Sequence, residues 1–152
     1  MSTKTIATNR RARFDFEIVE TVEAGIVLLG SEVKSLRNGR ADLKDSYAAV
    51  TKGELWLHGL RISPYEFAPD GGHDPERDRK LLLHRLEIDK IGAKLAERGL
   101  TLIPIKLYFK DGKAKVELGL GKGKSKYDKR ETLKRRQADR EMQRAIRHKS
   151  ID

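Results

Sequence analysis

Apolar and polar residues alternate over several short runs of the chain, and a period of two predicts β-strands rather than helices. Apolar residues stand at positions 14, 16, 18 and 22 with mostly polar residues between them, which predicts a first strand. Glu23-Ala24-Gly25 then predicts a turn, and the apolar run at 26–29 predicts a second short strand. Residues 32–37 fit one or two helical turns that stop at Asn38-Gly39.

Two turn signals predict β-hairpins further along the chain. Lys52-Gly53 separates two runs of strand character, and Asp111-Gly112 is typical of a type I′ turn. Between them, three prolines and two adjacent glycines at 64–75 predict a surface loop. A two-residue loop at Asp111-Gly112 predicts four apolar cross-strand pairs and two polar ones: Phe109 with Ala114, Leu107 with Val116, Ile105 with Leu118, Ile103 with Leu120, Tyr108 with Lys115, and Lys106 with Glu117.

One segment, 84–99, predicts a well-defined helix. Its apolar residues recur at helical spacing, and Gly99 stands where a left-handed cap would end the helix. His84 precedes Glu87 by three residues, the spacing of a capping box, although histidine is a weak cap. The whole pattern predicts a fold dominated by β-structure. We expect an OB-like antiparallel barrel of about six strands with one well-defined helix and one short helical segment.

Positive charge is concentrated at the C-terminal end. The 152-residue chain has a net charge of +10, and residues 121–152 hold twelve Lys or Arg against five Asp or Glu. Such a basic tail is typical of a polyanion partner, with a solubilising tail as the alternative. Its apolar stripe is thin, which predicts disorder in the free tail and a helix on a partner. We therefore expect a disordered N-terminus at 1–8, a barrel at 9–120 and a basic tail at 121–152.

The sequence offers little material for catalysis. The chain has no cysteine, its four histidines are scattered, and it lacks the common motifs of hydrolases, zinc proteases and phosphate-binding loops. The glycines at 119–123 resemble a phosphate loop but have the wrong spacing and context. No apolar run reaches the ~20 residues of a membrane span. The sequence predicts no catalytic residue, no metal, no cofactor and no membrane contact, in a cytoplasmic protein.

Three clusters of cations are candidates for RNA binding, each with an ordinary solvated face as the alternative. Lys34 and Arg37 are three residues apart and share a face if that segment is helical. A second cluster lies at 9–13. A third lies on the predicted hairpin at 106–115, where one aromatic side chain between lysines could stack on a base. The second and third clusters consist of Asn9, Arg10, Arg11 and Arg13, and of Lys106, Tyr108, Lys110, Lys113 and Lys115.

An ordered series of motifs over residues 9–146 resembles the SsrA-binding protein family. The motifs are Glu23-Ala-Gly25, Gly30-Ser-Glu-Val-Lys-Ser-Leu-Arg37, Lys44-Asp-Ser-Tyr47, Ile62-Ser-Pro-Tyr65, Arg79-Lys-Leu-Leu-Leu-His84, Leu107-Tyr-Phe109 and Gly123-Lys-Ser-Lys-Tyr-Asp-Lys-Arg130. The resemblance implies a non-enzymatic factor of trans-translation. Such a factor binds the tRNA-like domain of transfer-messenger RNA (tmRNA) and delivers it to stalled ribosomes, where the tail senses the empty message channel.

The resemblance also implies partners and site residues. The expected partners of a monomeric protein are tmRNA, the small-subunit decoding centre and message channel, and, through the charged tmRNA complex, elongation factor Tu. Tyr127 stands where the family often has histidine, which keeps stacking but loses a protonation role. The implied tmRNA contacts are Asn9, Arg10, Arg11, Glu23, Lys34, Arg37, Leu82 and His84. The implied ribosome contacts are Tyr127, Asp128, Lys129, Arg130, Lys134, Arg136, Arg144 and Ile146.

Some roles stay open at the level of sequence. His84 suits a helix cap and an RNA contact equally well. Glu23 cannot attract phosphate, so it either orders an arginine or accepts a hydrogen bond from a base amine or a ribose hydroxyl. Two other classes of protein remain as alternatives: a structural ribosomal or assembly protein, and a nuclease. Preference for tmRNA over ribosomal RNA separates the first from a rescue factor, and cleavage of RNA with magnesium would reveal the second.

Overall fold

The computed structural model describes residues 3–65, 72–124, 137, 138 and 140–142. Strands predominate in these residues, as predicted. The elements in chain order are β1 (Thr3–Thr8), α1 (Ala12–Asp15), β2 (Phe16–Ile26), α2 (Gly30–Arg37), β3 (Ala41–Asp42), β4 (Tyr47–Thr51), β5 (Glu54–His58), β6 (Arg61–Ile62), β7 (Arg79–Leu82), α3 (Arg85–Arg98), β8 (Thr101–Lys110) and β9 (Lys113–Gly123).

Six of the strands close into an antiparallel barrel. Their order is β8-β4-β5-β7-β2-β9, and β9 pairs back onto β8 to complete the ring. Closure leaves no long edge exposed between these strands. The inner faces form one apolar core, in which Leu55, Leu57, Leu107, Val116 and Leu118 are fully buried. The prediction of an OB-like barrel of about six strands is confirmed.

The second strand is longer than predicted. β2 runs without interruption from Phe16 to Ile26, so the predicted turn at Glu23-Ala24-Gly25 and the separate strand at 26–29 are both wrong. Ala24 points into the core, where it pairs with Val116, and Gly25 pairs with Lys115 on one side and Leu82 on the other. Small residues occur here because neighbouring side chains approach closely. The prediction failed because small residues are also typical of turns.

The ends of the barrel also differ from the predicted boundaries. Residues 1–8 were expected to be disordered, but β1 pairs with β8 from Thr3 to Thr8. Three threonines and Ile6 give this segment its strand propensity. At the other end, β9 continues to Gly123, which pairs with Phe16, so residues 121–123 belong to the barrel and not to the tail.

The β8–β9 hairpin matches its predicted register only near the turn. Asp111 and Gly112 both have positive φ, 51° and 80°, as a type I′ turn requires. The pairs Phe109–Ala114 and Leu107–Val116 and both polar pairs are confirmed. Beyond them a bulge between Pro104 and Lys106 shifts the pairing by one residue. Leu118 therefore pairs with Pro104, and Leu120 with Leu102, which corrects the predicted pairs with Ile105 and Ile103.

Both predicted helices are present. α3 begins after His84 at the N-cap position and ends before Gly99, whose φ of 60° is the left-handed cap that was predicted. Ile88 and Ile91 of α3 are buried in the core. The His84 side chain makes no capping hydrogen bond, so the predicted capping box with Glu87 is wrong. α2 forms at Gly30–Arg37, in agreement with the short helical segment.

Candidate RNA-binding surface

A buried ion cluster fixes α2 against the barrel. Glu32 and Arg79 are both fully buried, and the Arg79 Nε donates to Glu32 Oε2 at 2.5 Å. Arg77 donates to the other carboxylate oxygen at 2.6 Å, and the backbone N–H of Leu29 at 2.7 Å. Burial acts to raise the pKa of Glu32, but these hydrogen bonds outweigh it and hold the pKa below its usual value. Arg79 also donates to the carbonyl of Leu60.

This cluster determines where the outer face of α2 lies. Lys34 and Arg37 are three residues apart on the helix and both are exposed, as the sequence predicted. The Lys34 ammonium lies 5.5 Å from the centre of the Tyr65 ring. On the buried side, His73 contacts the Ser31 hydroxyl and the Ile62 carbonyl, both at 2.9 Å. α2 is therefore held firmly against the barrel and presents two cations, Lys34 and Arg37, on its exposed face.

Leu82 lines a shallow groove beside α2. It is the last residue of β7, and its side chain is 51 % exposed although it is apolar. A Cβ added to Gly25 on the neighbouring strand would approach the Leu82 Cβ to 3.3 Å, so glycine leaves room for this side chain. We name this feature, of about 310 Å³, the Leu82 groove; it is lined by Gly25, Ile26, Leu28, Val33, Leu82, Phe109, Gly112, Lys113, Ala114 and Lys115.

Glu23 stands on the outer face of β2, two residues before Gly25. The Tyr108 hydroxyl donates to its Oε2 atom, and the Lys110 ammonium lies 3.5 Å from Oε1. The hydrogen bond from Tyr108 is the main reason that the pKa of Glu23 is lowered; burial opposes it, and Lys110 and Lys115 add to the lowering. Burial, and then Glu23 itself, raises the pKa of the Tyr108 hydroxyl.

Tyr108 does not have the role that the sequence suggested for it. Its exposed fraction is 7 %, and the Lys106 ammonium lies 5.6 Å from the centre of its ring. A base could not stack on this ring without displacing these neighbours, so the prediction of a stacking aromatic on the hairpin is wrong. Of the remaining lysines of the hairpin, Lys113 and Lys115 line the Leu82 groove and Lys110 lies beside Glu23.

The structure brings only part of the predicted tmRNA site together. Leu82 and Val33 of α2 line the Leu82 groove, and Glu23 lies two residues before its Gly25 on β2. His84, two residues after Leu82, is exposed. Asn9 lies elsewhere: its side-chain amide donates to the Pro104 carbonyl at 3.0 Å. Asn9 shares a pocket with Phe16, the first residue of β2, and roughly 20 Å of strand separates Phe16 from Glu23.

Asn9 and Arg11 line a second pocket, next to the point where the chain leaves the barrel. Arg10 between them is exposed, and Arg11 forms an ion pair with Asp15 at 3.4 Å. The backbone N–H of Lys124 donates to the Asp15 carbonyl at 2.9 Å, which ties the end of β9 to α1. We name this feature, of about 620 Å³, the tail-exit pocket; its lining includes Asn9, Arg11, Asp15, Phe16, Lys44, Tyr47, Thr101, Gly123 and Lys124.

The remaining predictions concern the ribosome contacts, metal binding and the membrane. The predicted ribosome contacts all lie outside the described residues: Tyr127, Asp128, Lys129, Arg130, Lys134, Arg136, Arg144 and Ile146. In the described part of the chain, no group of three or more metal-ligating side chains could hold a metal ion. None of the helices described there is long and apolar enough to cross a membrane. Sequence reasoning missed the Glu32 cluster, because the motif around it contains ordinary charged residues whose burial no periodicity reveals.

A closed barrel with cations around a shallow, partly apolar surface is the architecture of nucleic-acid-binding OB-like proteins. Within that class, a family model described as SmpB protein matches residues 6–148, so the chain belongs to the SmpB family.

Two relatives are similar in sequence to this chain over most of their length. An SsrA-binding protein of Geobacillus thermodenitrificans is 59 % identical over 146 residues, which are 96 % of this chain and 94 % of the relative. An SsrA-binding protein of Syntrophobacter fumaroxidans is 60 % identical over 142 residues, 93 % and 88 % of the two chains. A solved structure described as "tmRNA-SmpB: a journey to the center of the bacterial ribosome" is 50 % identical. It has a TM-score of 0.67 and covers 84 % of this chain and 93 % of its own.

Proposed function

We propose that this protein binds the tRNA-like domain of tmRNA and brings it to stalled ribosomes in trans-translation. The observation that carries the proposal, in a chain that belongs to the SmpB family, is the Leu82 groove. Glu23 lies two residues before Gly25 of this groove on β2, Leu82 lines it, and Lys34 follows Val33 of its lining on α2. Each offers a different kind of contact: a carboxylate acceptor, an apolar side chain and a phosphate-binding cation. Together they suit a folded RNA better than a uniform basic patch does.

The structure supports a division of the implied RNA contacts between two ends of the barrel. Glu23, Lys34, Arg37, Leu82 and His84 form the tmRNA surface in this proposal. We assign the cluster at 9–11 to the ribosome instead, because Asn9 and Arg11 line the tail-exit pocket together with Lys124. The side chain of His84 is exposed and caps nothing, which favours its role as an RNA contact.

The tail beyond Lys124 completes the proposal. It would enter the empty message channel, become helical there and report that no message is present, with Tyr127 stacking on a ribosomal base. Lys129 and Arg130 would neutralise phosphates, arginine through a bidentate fork. We further propose a monomeric, cytoplasmic protein without catalytic activity, which meets elongation factor Tu only through the charged tmRNA complex.

A gel shift with the tRNA-like domain of tmRNA tests this function. At fixed salt we expect tRNA and ribosomal RNA fragments to compete poorly. Leu82→Ala should weaken binding roughly fivefold, because covering a half-exposed leucine contributes about 1 kcal/mol. Val19→Ala is the matched control, since Val19 is 55 % exposed and belongs to the same sheet but lies outside the Leu82 groove. Equal competition by ribosomal RNA would instead support an assembly protein.

The proposal makes a separate prediction for Lys34. Lys34 is exposed, and its ammonium forms no ion pair with another described residue. We therefore expect it to neutralise one phosphate. Lys34→Ala should lower affinity for tmRNA at low salt and reduce the slope of log affinity against log salt by about one. Lys90→Ala on the exposed face of α3 serves as the control. An unchanged slope for Lys34→Ala would remove α2 from the RNA surface.

A further inference from the structure

Glu23 is a carboxylate presented on a basic surface, and its surroundings specify what it can bind. Lys110 and Lys115 face it with positive charge, Glu117 on β9 pairs directly opposite with negative charge, and Tyr108 reaches it across β9. A phosphate would meet the negative charge of Glu23 itself. The lysines therefore suit flanking phosphates, whereas the carboxylate suits a donor group located between them.

We propose that Tyr108 is a positioning residue that holds Glu23 to read the Watson–Crick edge of an unpaired guanine in the RNA partner. The proposal rests on the function proposed above and names the chemistry of one part of that surface. An ionised carboxylate has about four acceptor sites; Tyr108 occupies one on Oε2, and Lys110 approaches one on Oε1 at 3.5 Å. The remaining sites on Oε1 and Oε2 can accept two parallel hydrogen bonds.

Guanine is the base whose chemistry matches two neighbouring acceptors. Its Watson–Crick edge carries the N1–H and the 2-amino group side by side, both donors. Adenine and cytosine each place a ring nitrogen acceptor beside the amine, and uracil places carbonyl oxygens on both sides of N3–H. Those acceptors would face a carboxylate oxygen and repel it. A single-stranded guanine is also the kind of target that RNA-binding proteins read along this edge.

Tyr108 suits positioning because it is itself fixed. It is 7 % exposed, its backbone pairs with Thr5 of β1 and Lys115 of β9, and Lys106 covers its ring. A buried hydroxyl that donates to the carboxylate restricts the rotation of Glu23 and keeps it ionised. Lys110, at 3.5 Å and on an exposed side chain, holds the carboxylate much less firmly. The orientation of Glu23 therefore depends mainly on one hydroxyl.

Tyr108→Phe in the full-length protein tests the positioning role. In free protein, the Glu23 carboxyl pKa measured by NMR should rise towards its ordinary value, because the hydrogen bond that lowers it most is gone. Affinity for the tRNA-like domain of tmRNA should fall about fivefold, the effect of one weakened charged hydrogen bond. Lys106→Ala is the matched variant that uncovers the same ring but keeps the hydroxyl. If Tyr108→Phe leaves both the Glu23 pKa and the affinity unchanged, the positioning role is wrong.

Inosine interference identifies the base. Inosine lacks only the 2-amino group of guanine, so replacing the guanine that Glu23 reads should weaken binding by wild-type protein. That interference should disappear with Glu23→Gln, because glutamine has one acceptor oxygen and one NH2 donor where glutamate has two acceptor oxygens. It should diminish with Tyr108→Phe. If instead a 2′-deoxy substitution, and no inosine substitution, weakens binding in a way that depends on Glu23, then Glu23 contacts a ribose and the guanine assignment is wrong. The assignment is also wrong if no substituted position depends on Glu23.

These outcomes are separable from failure of the proposed function. If the protein does not prefer tmRNA to tRNA in the gel shift, the proposed function fails, whatever the NMR titration of free protein gives. If the preference holds and Glu23→Gln changes neither affinity nor interference, tmRNA binding stands and the reading of guanine by Glu23 is wrong.

Discussion

A chain that ends at Lys124 is expected to bind the tRNA-like domain of tmRNA within about a few-fold of the full-length protein, yet to support no tagging on ribosomes stalled at the end of a message. The tmRNA surface that we propose, at Glu23, Leu82 and α2, lies entirely within the retained residues. The deleted segment, 125–152, holds ten Lys or Arg against five Asp or Glu. Binding should be compared near physiological salt, where nonspecific attraction to phosphate is weak.

The position of the cut follows from the pairing of β9. Gly121, Lys122 and Gly123 pair with Ile18, Glu17 and Phe16 of β2. Lys124 adds hydrogen bonds to the carbonyls of Asp15 and Arg13. A cut after residue 120 would remove all of these, and we expect it to lower the melting temperature, whereas a cut after Lys124 should not. The shorter chain is thus the control that separates damage to the barrel from loss of the tail.

Two results would contradict this division of roles. Loss of tmRNA binding by the chain ending at Lys124, with an unchanged melting temperature, would place part of the tmRNA surface in the tail. Normal tagging by the same chain would show that sensing of the empty channel does not need residues 125–152. A tagging reaction in a purified translation system, on a message without a stop codon, measures the second outcome directly.

Turn residues in the sequence predicted correctly the pairing of the strands next to the turn. The Asp111-Gly112 turn fixes φ at two residues and with it the adjacent pairs, so the predicted register was correct as far as Lys106. Five residues from the turn, the bulge between Pro104 and Lys106 changes the register. Bulges of this kind depend on how the strand must bend to close the barrel, which alternation along one hairpin does not encode.

The same reasoning explains what could be predicted of the candidate site. Glu23, Lys34 and Leu82 were assigned by resemblance to a family, and the structure adds that Leu82 and Asn9 line two different pockets. Tyr108 was assigned the wrong role, because an aromatic residue between lysines on a strand gives the same pattern whether its ring is exposed or covered. Only the packing of β1 onto β8 and the contact with Glu23 distinguish the two cases.

Glu32→Gln is expected to destabilise the protein by about 3–5 kcal/mol, the usual cost of leaving a buried charge without its partner. The substitution keeps the size of the side chain but removes the charge that compensates Arg79, and both residues are fully buried. A domain of this size has a free energy of unfolding of about 5–15 kcal/mol, so the loss is a large part of the total. Urea unfolding measures it, with Glu76→Gln as control, since the Glu76–Arg61 pair is exposed on both sides.

Two further measurements distinguish the ion pair from simple packing. Glu32 has a lowered pKa in the folded state, so its contribution is present above the unfolded pKa, about 4.3, and is lost as pH falls through the folded value. Wild-type stability should decrease over that acidic range more than the stability of Glu32→Gln does. The double variant Glu32→Leu/Arg79→Met removes both charges and should recover part of the lost stability, because no unpaired charge is left at these two positions. A double variant less stable than Glu32→Gln would mean that the hydrogen bond from Arg79 to the Leu60 carbonyl, rather than its pairing with Glu32, holds this region together.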